Sequence, residues 1–111
     1  MPHFVVVRER AGAWDWSVPM RRQRAWNEHA AFMDALAERG AILAGGPLGS
    51  EDEAARVLHV FAANSIADVE AQLADDPWTP MGLLVTVSIE PWTVLLGGFA
   101  GAKGSGASSA K

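Results

Sequence analysis

The chain alternates between short β-branched runs and longer stretches in which apolar residues recur every three or four positions. His3 to Arg10 begins apolar and ends charged, as a strand leaving a core does, and Ala11–Gly12–Ala13 ends it. A loop from Trp14 to Pro19 follows. Ser17 is the predicted N-cap of a helix that runs to Arg39 and stops at Gly40, with Pro19 in its first turn, where no N–H is needed. Ala25, Trp26, Phe32, Met33 and Leu36 share one face of that helix, while Arg22, Asp34 and Glu38 fall elsewhere.

Residues 41–44 form a short predicted strand ending in the turn Gly45–Gly46–Pro47–Leu48–Gly49, and Ser50 to Ala54 reads as an acidic loop. Arg56 to Ala63 reads as a strand buried on both faces. Ser65 with Asp68 resembles a capping box opening a second helix through Leu73, which Asp75–Asp76–Pro77 terminates. After a loop at 78–82, Leu83 to Glu90 is the last main strand, with residues 93–96 a further edge strand. The order βαββαβ predicts an α+β, ferredoxin-like fold: an antiparallel sheet with both helices on one face. Its other face would be left apolar, and a second copy of the chain is the expected cover.

Length sets the domain count. The chain has 111 residues, half of them hydrophobic, which is one domain. The expected folding unit is 1–96, and 97–111, rich in Gly, Ser and Ala, reads as a flexible tail. The net charge of −4 provides no electrostatic footprint for nucleic acid or anionic lipid, and the order of the elements is not accompanied by an RNA-binding strand signature. Without cysteine there is no disulfide, thiolate metal site or thiol nucleophile. No run is long enough for a signal sequence or a membrane span, so a cytoplasmic location is expected.

The candidate chemistry centres on histidine. His3 reads as a surface residue and His59, inside an apolar strand, as a hydrogen-bonded sheet histidine. His29 shares the apolar face of the first helix, so it needs a buried partner. Asp75 and Asp76 oppose the macrodipole at the end of the second helix and call for a cationic or hydrogen-bonding neighbour. Helices lying side by side would bring His29 to one of these two carboxylates, and sequence alone leaves open which. Such a pair fixes the imidazole tautomer and leaves the other ring nitrogen to move protons. Arg21, Arg22 and Arg24 crowd the start of the first helix and want an anion, or Asp15 and Glu28. Trp14 and Trp16 are expected to cover a pocket or a subunit boundary. No metal-ligand spacing, nucleophile elbow or phosphate loop is present, and no metal or cofactor is expected.

The segment from Arg24 to Leu48, the Asp75–Asp76–Pro77–Trp78 motif and the closing Ser88–Ile89–Glu90–Pro91–Trp92 together resemble the YciI-like (YCII-related) family across nearly all of residues 1–96. The resemblance implies a ferredoxin-like fold that dimerises as an α/β barrel, similar to muconolactone isomerases and to a chlorinated-hydroxyquinol dehydrochlorinase. It also implies an active site built on His29 and Asp76. Trp78 stands where that family usually has Phe or Tyr, and the Trp14–Asp15–Trp16 loop is not a feature of its prototype.

These readings converge on a small cofactor-free enzyme of isomerase or lyase type, acting on a cyclic or aromatic-derived acid or lactone. His29 would shuttle the proton and Asp76 orient it. Gly46, Pro47 and Trp78 would line the pocket, and Arg8 or Arg24 would hold a substrate carboxylate. The alternative is a non-catalytic dimeric binding or accessory module in which His29 and Asp76 are a structural pair. A cofactor-free monooxygenase ranks below both.

Overall fold

The computed structural model describes residues 1–99; the remainder of the predicted tail, 100–111, lies outside the described residues. Four strands, β1 (His3–Arg10), β2 (Ile42–Pro47), β3 (Arg56–Ala62) and β4 (Leu84–Trp92), form one antiparallel sheet in the order β2-β3-β1-β4. Two helices, α1 (Trp26–Glu38) and α2 (Ile66–Ala74), pack on the same face. This is the expected ferredoxin-like arrangement. No helix among the described residues is long and apolar enough to cross a membrane.

Strand alternation decides which side chains meet the helices. In β1, Phe4, Val6, Arg8 and Arg10 are all buried, and Phe4 and Val6 pack with Phe61 of β3, Leu36 of α1 and Val69 and Leu73 of α2. Register places Val6 opposite His59 and Arg8 opposite Val57, so those β3 residues also face the helices. The inner face of the sheet is therefore hydrophobic at one end and polar at the other. A second cluster of Trp14, Val57, Trp78, Leu83 and Leu84 closes around the polar end.

Three boundaries differ from expectation. Helix α1 begins at Trp26 and not near Ser17; only a single 3-10 turn, Met20–Arg22, forms before it. Ser17 instead turns back on Asp15, with its N–H donating to Oδ1 at 2.9 Å. The Gln23 side chain donates to the Asp15 and Val18 carbonyls at 2.7 and 3.2 Å, and Ala25 adopts the left-handed conformation at φ 58°, which breaks the helix. Strand β2 continues through Gly45, Gly46 and Pro47, and β4 continues through Pro91 to Trp92 with no separate strand at 93–96. Both are edge strands, where the N–H that proline lacks has no ladder partner to lose. The cap of α2 is as expected, with Ser65 Oγ accepting from the Asp68 N–H at 3.1 Å.

Candidate active site

Asp76 lies just beyond α2, fully buried, and three donors converge on it. His29 Nδ1 is 2.8 Å from Oδ1, the Trp78 backbone N–H donates to the same oxygen at 3.0 Å, and Arg8 donates to Oδ2 at 2.8 Å. Burial alone would raise the carboxyl's pKa, but the bonds from His29 and Arg8 outweigh it and hold Asp76 below the usual aspartate value. An ionised carboxylate only accepts, so the His29 proton sits on Nδ1. Nε2 is then the nitrogen left to exchange a proton. The neighbouring Asp75 is exposed as the C-cap of α2, so Asp76 is the partner of His29.

The surrounding groups fix this geometry. Trp78 stacks on the His29 ring with centroids 3.8 Å apart and an interplanar angle of 7°, and its Nε1 donates to the Arg24 carbonyl at 2.6 Å. Thr79 Oγ1 accepts from Arg8 at 2.8 Å while donating to the Leu73 carbonyl at 2.7 Å, pinning the guanidinium against Asp76. The segment 76–79 thus supplies the carboxylate, the stacking ring and the clamp on Arg8.

A cavity of about 360 Å³ opens beside His29, between α1, β2, β3 and the loops at 14–21 and around Glu51. His29, Trp78, Gly46 and Pro47 line it. The two arginines proposed from sequence do not. Arg8 is sealed behind Asp76 with no exposed surface, and the Arg24 side chain is exposed outside the cavity. Arg21 finds its anion in Glu51, through paired contacts of 2.9 and 3.1 Å, and not in Asp15 or Glu28. Trp14 is buried and lines the cavity, whereas Trp16 is 55% exposed.

Two cavity residues escaped the sequence reading. His59 is buried on the cavity wall, and its Nδ1 has no partner among the described residues, contrary to the hydrogen-bonded sheet histidine expected. Burial, reinforced by the charge of Arg8, pushes its pKa down to about 4, so it is neutral near pH 7. Gly45 makes room for it: a Cβ there would lie 2.6 Å from His59 Cδ2. Arg10 is the other. Its signal was present in the alternation of β1, which puts residues 4, 6, 8 and 10 on one face.

The family follows from a match over almost the whole fold. A YCII-related domain model covers residues 1–93. The chain belongs to the YCII-related family. Among solved structures, it is similar to 5-chloro-2-hydroxyhydroquinone dehydrochlorinase (TftG) from Burkholderia phenoliruptrix in complex with 2,5-dihydroxybenzoquinone, with a TM-score of 0.60. The identity is 22%, over 81% of this chain and 93% of that one, a likeness of fold. Comparison with curated proteins gives no match.

Proposed function

We propose that this YCII-related protein is a proton-transfer enzyme acting on a small ring compound, an aromatic-derived acid, quinol or lactone. The observation that carries the reading is the 2.8 Å contact between His29 Nδ1 and a buried, ionised Asp76, which leaves Nε2 beside a cavity of ring-sized volume. Neutral His29 takes a proton from a ring carbon or hydroxyl at Nε2, and Asp76 stabilises the imidazolium. In an isomerisation the same proton returns at another carbon. In an elimination the C–H electron pair forms the new double bond, the leaving group departs as an anion, and the proton stays on His29 until released.

The dehydrochlorinase likeness makes halogenated hydroxyquinols the first substrates to try, followed by small unsaturated lactones. His29→Gln and Asp76→Asn should each lower kcat by about 10²–10⁴-fold on any substrate found in that panel. Turnover that survives both substitutions refutes the proton-transfer reading and leaves the pair with a structural role. The outer face of the sheet carries Val5, Val7 and Leu58, with Val85 on it 49% exposed, and a second copy of the chain is the proposed cover.

A further inference from the structure

Arg10 is 92% buried (8% exposed), lines the cavity, and touches no carboxylate. Its terminal nitrogens donate to the backbone carbonyls of Ala54 at 2.8 Å and Glu51 at 2.6 Å, and to Met20 Sδ at 3.4 Å. These are neutral acceptors. Its Nε–H is buried without an acceptor among the described residues. The guanidinium centre lies 4.2 Å from the centroid of the Trp14 ring, and the Trp14 Nε1–H is also buried without an acceptor. A buried cation without a directly bonded counter-ion thus adjoins two orphaned donors, all on residues that line one cavity.

Protein interiors seldom leave such donors unpaired, and a buried positive charge calls for a negative one. Asp52 and Glu51 supply only longer-range compensation. Strand register separates this end of the cavity from His59: Arg10 N–H bonds the Ala55 carbonyl, four residues before His59, about 13 Å of extended chain. Val57 lies between them as an apolar floor.

We infer that Arg10 and Trp14 form the anion-holding end of the cavity, so that its ligand is a planar ring carrying an anionic oxygen, a carboxylate or a phenolate. The anionic oxygen accepts from the guanidinium and the indole N–H, and the ring lies across Val57 with its other edge toward His29. This rests on the reading of the cavity as a substrate site, and it replaces Arg8 and Arg24 as the holders of substrate charge.

The test is calorimetric titration of the full chain with benzoate, 4-nitrophenolate and neutral benzamide at pH 8. At least one anion should bind, at least tenfold more tightly than benzamide; the tighter anion then distinguishes a carboxylate from a phenolate ligand. Arg10→Gln should weaken anion binding by at least tenfold while leaving benzamide unchanged, and Trp14→Phe, which keeps a ring but removes the N–H, by about threefold. Should Arg10→Gln fail to fold, because Arg10 also anchors the Glu51–Ala54 segment, Trp14→Phe decides. Equal affinity for benzoate, 4-nitrophenolate and benzamide, no anion binding at millimolar concentration, or unchanged anion affinity in folded variants overturns the inference. His29→Ala should retain benzoate binding, so the anion site and the proton-transfer reading fail separately.

Discussion

The imidazole of His29 and the indole of Trp78 lie parallel at 3.8 Å, and the same short segment that supplies Trp78 also supplies Asp76. One side chain holds the edge of the imidazole and the other holds its face. The indole face favours a positive charge stacked on it, so both neighbours would support an imidazolium, the form that the proposed proton transfer calls for.

Trp78→Phe keeps an aromatic face but removes the bond to the Arg24 carbonyl, and should cost about 1 kcal/mol of stability. Trp78→Ala removes a ring that is 1% exposed and should cost about 3–5 kcal/mol. Urea unfolding of the two variants checks the ranking. Equal losses would mean that the ring adds nothing beyond its N–H.

Much of this site was legible in the sequence, for a physical reason. A histidine on the apolar face of α1 and carboxylates at the end of α2 each required a partner, and helices on one sheet face put them within reach. What could not be read was the choice between Asp75 and Asp76, because adjacent residues at a helix end differ in direction by about 100°. The late start of α1 was hidden for another reason. Ser17 and Pro19 have the local chemistry of a helix start, whereas the helix break depends on tertiary bonds between Gln23 and the Asp15 loop. Arg10 and His59 were missed because an arginine at a strand end and a histidine in an apolar strand have ordinary structural explanations. What marks these two is one unpartnered buried nitrogen on each, Arg10 Nε and His59 Nδ1.

Arg8 and Asp76 form an ion pair at 2.8 Å with no exposed surface on either side chain. Removing one partner strands the other charge, so Arg8→Met should destabilise by about 3–5 kcal/mol. Combining Arg8→Met with Asp76→Asn should cost less than the sum of the single changes, since the second substitution removes the stranded carboxylate. A double-mutant cycle in urea measures the coupling, and additive losses would show that the pair acts as two independent contacts.

His59 makes stability depend on pH in a defined direction. Its ordinary value of 6.5 falls to about 4 in the fold, so between those values the unfolded chain binds a proton that the folded chain does not. Stability therefore falls as pH is lowered through this window, approaching a loss of about 3 kcal/mol near pH 4. Asp76, held below the ordinary aspartate value of 3.8, adds its own loss only at lower pH. Unfolding of wild type and His59→Leu at pH 7 and pH 4.5 isolates the His59 share. Parallel losses in the two proteins would show that His59 contributes none of it.

The apolar outer face of the sheet leads to a prediction about assembly. Val7 lies on the central strand β1, paired with Leu58 on one side and Ser88 on the other, so its side chain stands near the middle of that face. If a second copy covers the face, Val7→Lys places a charge in the interface, where its desolvation goes uncompensated. The cavity lies on the opposite, helix-bearing side, so the variant should keep its fold and its benzoate affinity. Sedimentation should show a dimer for the wild type and a monomer for Val7→Lys. A wild type that stays monomeric at micromolar concentration overturns the second copy as the cover, and a Val7→Lys dimer as tight as the wild type places the self-association elsewhere on the molecule.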